Sequence, residues 1–234
     1  MLEIDDLHSF YGAAHVLQGV SLTVGKGEVV AVLGRNGMGK TTLIRSVMGL
    51  RPPQARGGVV RWRGQDLAGL PPHKVARRRI AIVPQGRRLF PSLTVLEHLT
   101  VLKPARATQG WTVARAFDAF PRLAERRANR GGELSGGERG MLAVARALMT
   151  DPELILMDEP SEGLAPVMVQ HVEGIIRALK ADGLAVLLVE QNLHSALALA
   201  DRVYVLETGQ VVHEAAANAA GHDEAALARF LGVT

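Results

Sequence analysis

The chain has 234 residues, enough for one large domain or two small ones, and its 47% hydrophobic and 21% charged residues are an ordinary globular balance. It holds no cysteine, which excludes disulfides and thiolate metal sites, and no apolar run nears the roughly 18 residues of a bilayer span. The net charge of +4 includes arginine clusters at 77–79, 87–88 and 126–127, but interspersed carboxylates favour solvated faces over nucleic acid or anionic lipid.

The opening MLEIDDLHSFYG is acidic and alternating, so no signal peptide is expected and a cytoplasmic protein fits. MLEIDDL and VSLTV read as short strands that end at the turn residues Gly25, Lys26 and Gly27. EVVAVLG reads as a buried strand entering a glycine-rich turn, with a helix expected over 40–50 and stopped by Pro52 and Pro53. Gly57 and Gly58 lead into the alternating VVRWRG, and residues 80–83 make another short strand.

From 85 to 135 strand runs give way to helical spacing, around 95–102 and 112–125. One domain is expected, with its core at 1–85 and 151–234 and a helical insertion at about 86–150. After Ser135, residues Met141, Leu142, Ala145, Leu148 and Met149 recur at helical spacing. LILM, a helix near 167–180, AVLLV, a short helix near 193–200 and RVYVL restore the alternation; AAANAAG at 215–221 is the one biased tract. Strands and helices that alternate in this way predict an α/β fold with a largely parallel central sheet.

Three motifs carry chemistry. GRNGMGKTT (Gly34, Arg35, Asn36, Gly37, Met38, Gly39, Lys40, Thr41, Thr42) fits G-x-x-x-x-G-K-[ST] with a strand before it and a helix after it. Its glycines let backbone N–H groups face a phosphate, Lys40 supplies charge for the β- and γ-phosphates, and Thr41 offers a hydroxyl to Mg²⁺. LILMDEP delivers Asp158 to a strand end, where it can hold Mg²⁺, while Glu159 points elsewhere and can polarise a water. In LSGGERG, Ser135 can cap a helix while Gly136 and Gly137 allow close backbone approach. Taken alone, that last motif is equally a plain capped helix.

The order of phosphate loop, LSGGE and LILMDEP resembles the ATP-binding subunit of an ABC transporter over nearly the whole chain. The resemblance implies an ABC ATPase (P-loop NTPase) core, with an antiparallel N-terminal β subdomain beside the inserted helical one. It implies that Tyr11 stacks on adenine beside Val16, and that Gln85 touches Mg²⁺ and senses a permease. It also implies that residues 161–164 form a loop speaking across a head-to-tail dimer, so that Ser135, Gly136 and Gly137 act on ATP held by the partner. Residues 86–91 are the expected permease contact. GRNGMGKTT, VPQGRRLFPSLTV, DEPSEGLAP and LLVEQN look like the importers of branched-chain amino acids and urea. That implies a separate permease, a second ATPase subunit of the same or another kind, and indirectly a solute-binding protein, at the cytoplasmic face of the plasma membrane. The alternative is a soluble ABC ATPase working on nucleic acid or ribosomes, which one cassette without cysteine or heptads disfavours.

Three positions depart from the family pattern. Glu138, Arg139 and Gly140 follow LSGG where glutamines are more usual, and Arg139 is assigned no separate role. Glu162 stands where many members carry a small or apolar residue. Gln191, at the end of AVLLVEQN, stands where most members have histidine. Either residues 190–192 are merely where a strand surfaces, or Gln191 sits in the site. Gln191 is expected to be a working but uncharged sensor of the γ-phosphate, with Asn192 capping the next helix.

Overall fold

The computed structural model describes residues 1–102, 110–217 and 227. Two sheets organise it. A four-stranded antiparallel sheet has the order β2-β1-β4-β5, with β1 at Leu2–Tyr11, β2 at Ala14–Val24, β4 at Gln54–Trp62 and β5 at Gln65–Asp66. A six-stranded sheet has the order β10-β9-β3-β8-β7-β6. Its members are β3 (Val29–Leu33), β6 (Ile80–Val83), β7 (Leu154–Asp158), β8 (Ala185–Glu190), β9 (Arg202–Glu207) and β10 (Gln210–Ala216). All neighbours in it are parallel except β9 and β10.

The unbroken apolar runs of β3, β7 and β8 follow from burial of both sheet faces. Val29, Ala31 and Leu33 face a core shared with the helices α6 (Gly136–Leu148), α7 (Pro166–Ala181) and α8 (Leu193–Leu199). Val30 and Val32 face the opposite way, into a core with Leu43, Ile44 and Val47 of α1 (Lys40–Val47) and the apolar side of the antiparallel sheet. The interval between β6 and β7 is helical: α3 (Val95–Thr100), α4 (Val113–Ala119), α5 (Pro121–Glu125) and then α6. The short α2 (Pro72–Ala76) precedes β6.

Several boundaries differ from those expected. The first two strands run on to Tyr11 and back to Ala14, because register shifts absorb the breaks in alternation around Asp5, Asp6 and Ser9. Gly57 and Gly58 lie within β4 and not before it. Gly58 takes φ +77°, and a Cβ there would strike the Asp6 carbonyl, so this bulge requires glycine. Helix α1 stops at Val47, where the Gly49 and Leu50 amides donate to the carbonyls of Ser46 and Arg45 in a Schellman closure. The stretch expected as one helix over 112–125 breaks at Phe120, since Pro121 has no N–H to continue it and starts α5 instead. The strand β10, the two-residue β5 and helix α2 had no clear periodicity to announce them. Most of the AAANAAG tract, residues 218–221, lies outside the described residues.

Among the described residues, no helix is long and apolar enough to cross a membrane. Phe120 is fully buried between the helices and the large sheet's core. Phe120→Ala is expected to cost about 3–5 kcal/mol, seen as a fall of roughly 10 °C in the melting temperature by calorimetry.

Candidate active site

Parallel pairing aligns Leu33 with Glu190 and Asp158 with Val189, so the carboxyl ends of β3, β7 and β8 open on one edge. The phosphate loop fills the gap between β3 and α1. Gly39 precedes the helix at φ +107°, a conformation that only glycine adopts readily, and no side chain caps the first turn. The N–H groups there remain available to an anion. A cavity of about 260 Å³ lies over this turn, lined by Val16, Asn36, Gly37, Gly39, Lys40, Thr41, Thr42, Gln85 and Glu159.

Lys40 is 4% exposed and folds back over the loop, donating to the carbonyl oxygens of Gly34 at 2.7 Å and Arg35 at 3.1 Å. Its Nζ lies 2.9 Å from Oε1 of Glu159. Glu159 was expected to point elsewhere; instead it faces the lysine, because φ of +50° and an N–H bond to the Val189 carbonyl swing it across the strand ends. Its Oε2 accepts from the Gln85 amide at 3.1 Å, and the same amide reaches Oε2 of Glu162 at 3.0 Å.

Thr41 Oγ1 donates to Oδ1 of the buried Asp158 at 3.1 Å. Burial pushes the Asp158 carboxyl above its usual range and neighbouring Glu159 adds to this, while the Thr41 hydrogen bond and Lys40 oppose it. Two adjacent carboxylates thus share one buried ammonium, and a hard hydroxyl–carboxylate pair stands at the loop's mouth. These oxygen donors and their excess negative charge fit Mg²⁺ together with a polyphosphate.

Other expected residues stand apart. Tyr11, 37% exposed at the end of β1, does not line the cavity. Met38 turns toward the β9–β10 connection, where its sulfur and carbonyl accept from the amides of Thr208 and Gly209. Ser135 caps α6 in a reciprocal capping box with Glu138, outside the cavity, and Gly137 abuts Met168 so closely that a Cβ would collide. Gln191 is exposed and also lies outside the cavity lining. Asn192 caps α8, its Oδ1 accepting from the Ser195 amide at 3.1 Å.

The view that the strand merely surfaces at 190–192 fails for Glu190, which is only 3% exposed. Burial raises its carboxyl above the usual range, offset by bonds from Ser161 and from the Gln191 and Asn192 amides. Glu190 and Arg87 were missed by sequence reasoning. Arg87 donates to the Glu162 carbonyl at 2.8 Å, and burial, with Arg139 nearby, lowers its guanidinium. An acid closing an otherwise aliphatic run was the available signal for Glu190; Arg87 had none beyond its cluster.

The family model described as ABC transporter matches residues 17–162. The chain is 46% identical, over 91% of each chain, to the high-affinity branched-chain amino acid transport ATP-binding protein BraG of Pseudomonas aeruginosa. It is 34% identical to the lipopolysaccharide export system ATP-binding protein LptB of Escherichia coli, covering 99% of this chain and 97% of that one. Among solved structures, a nucleotide-free ATP-binding cassette from an ABC transporter is similar at a TM-score of 0.82 and 30% identity, covering 92% of this chain and 91% of that one. On motif order, fold and sequence alike, this chain belongs to the ABC transporter family and is an ATPase.

Proposed function

We propose that this chain is the ATP-hydrolysing subunit of an importer, peripheral on the cytoplasmic face of a membrane and energising a separate permease. The solute is a branched-chain amino acid or a related small molecule. The observation that carries this reading is the 46% identity to BraG across 91% of each chain. A second reading, lipopolysaccharide export, is favoured by the nearly complete coverage of the LptB relative at lower identity.

In the proposed reaction Lys40 leaves Glu159 and the loop carbonyls to meet the β- and γ-phosphates, joined by the loop amides from Gly34 to Thr42. Thr41, Asp158 and Gln85 would hold Mg²⁺, which supplies positive charge against the phosphate oxygens. Glu159, released from the lysine, orients the attacking water and accepts its proton. Such transfer rests on positioning and charge stabilisation, which suits a site built from strand ends and a helix start. Tyr11 would stack on the adenine, with Val16, which lines the cavity, beside it.

Ser135 is exposed and Gly136 partly so at a helix start outside their own chain's cavity, with Gly137 buried behind them, which suits action on ATP bound by a head-to-tail partner, identical or not. The 86–91 segment carries Phe90, 55% exposed, as an apolar anchor for the permease. A solute-binding protein takes part only through that permease.

Glu159→Gln is expected to lower kcat about 10²- to 10⁴-fold while ATP still binds, whereas Lys40→Ala weakens binding itself; fluorescent nucleotide titration separates the two. In the assembled transporter, Gln191→Ala should lower kcat about tenfold or more, and Gln191→His should restore it; an alanine variant equal to the parent would leave Gln191 as a bare strand end. Deleting the chain from its host should abolish uptake of labelled leucine. Unimpaired uptake with failing lipopolysaccharide export would select the second reading.

A further inference from the structure

We propose that Glu190 is a positioning residue of the ATPase site, anchoring a closed ring of contacts that sets the place of Glu159. The ring begins at the end of β8, where Oε1 of Glu190 accepts from the Ser161 amide at 3.2 Å and from the Ser161 hydroxyl at 2.7 Å. Its Oε2 accepts from the Gln191 amide at 3.2 Å. The chain then passes to Glu162, whose side chain meets Gln85 and whose carbonyl meets Arg87. Gln85 reaches Glu159, and the Glu159 amide returns to the carbonyl of Val189, one residue before Glu190.

Burying a carboxylate is costly unless donors satisfy it, and the three preceding strand residues, Leu187, Leu188 and Val189, are fully buried aliphatics. An apolar residue would continue the strand without that cost. The donors gathered on Glu190 come from two segments, the 161–162 turn and the start of 191–192, and nothing else described joins the two segments side chain to backbone. Glu159 itself is held at φ +50°, a backbone conformation that persists only where its surroundings enforce it. Glu190 lies outside the lining of the cavity over the phosphate loop, and its oxygens are engaged by Ser161 and the Gln191 amide, so it acts through Ser161.

This inference rests on the ATPase reading, and the experiment separates the two. Steady-state ATP hydrolysis and amide hydrogen exchange are measured on the full-length parent and on Glu190→Gln, Ser161→Ala, Ser161→Thr and the Glu190→Gln/Ser161→Ala double variant. Glu190→Gln presents an NH₂ group to donors and should lower kcat about tenfold with KM for ATP within about twofold. Ser161→Ala should cost about threefold, Ser161→Thr should recover most of that loss, and the double variant should be no worse than Glu190→Gln alone. Exchange should quicken together in the 159–163 and 190–192 segments in Glu190→Gln and in Ser161→Ala. Parental kcat in Glu190→Gln, additive losses in the double variant, or exchange that quickens in one segment alone would overturn the proposal. If Glu190→Gln does not fold, the Ser161 pair decides by the same readouts. A parent that turns over no ATP counts against the ATPase reading, and the exchange pattern still decides the ring.

Discussion

The parallel register of β3, β8 and β7 is the constraint on which everything else hangs. Because both faces of these strands are covered, they are aliphatic along their length, and polar groups enter only at their ends. The pairing of Leu33 with Glu190 and of Asp158 with Val189 brings those ends level. A one-residue slip of β7 would turn its inward and outward faces over and carry Asp158 out of reach of Thr41. The phosphate loop, the acidic pair and the Glu190 anchor are therefore consequences of one hydrogen-bonded ladder.

Electrostatics then shape that edge. Lys40 and Glu159, with side chains 4% and 8% exposed, form a buried pair in which each partner also keeps a second hydrogen bond. Asp158 accepts from the Thr41 hydroxyl and the Gln85 backbone amide and feels the Lys40 charge without an ion pair of its own, and its raised carboxyl reflects burial first and Glu159 beside it. The edge is thus arranged around positive charge at Lys40 and a surplus of carboxylate around it. A polyanion accompanied by a cation satisfies both parts at once, whereas either alone would leave one part uncompensated.

Much of this was legible in the sequence, for reasons that particular residues make plain. EVVAVLG, LILMD and AVLLV are short apolar runs bounded by turn or polar residues, which suits doubly covered strands, and GRNGMGKTT sits at the strand–helix junction its glycines demand. The helix break had a signal in Pro121, but the helical spacing that runs across 112–125 masked it. What could not be read was side-chain pairing across sequence distance. The Lys40–Glu159 contact, the Gln85 bridge to Glu162 and the Glu190 link to Ser161 depend on three-dimensional register, and no spacing rule reports it. Bulged strands were blurred too, since a register shift at Asp6 erases the alternation that would reveal them.

The buried pair has a mechanical consequence. Removing one partner of such a pair typically costs about 3–5 kcal/mol, so Glu159 does not leave Lys40 unless another anion takes its place. In the proposed reaction an incoming phosphate would be that anion, and the carboxylate would be freed only as the nucleotide is seated. Gln85 then keeps one hold on Glu159, and Glu162 keeps a hold on Gln85, so the released carboxylate stays tethered to the turn that Ser161 and Glu190 fix. The proposed water activation would in this way depend on two separate events, occupancy of the phosphate loop and the set of the 161–163 turn. The first is read by a lysine within the chain. The second would be set through Gln85 and Glu162, which tie Glu159 to that turn, so a partner docking on the turn would act on the carboxylate only through these contacts.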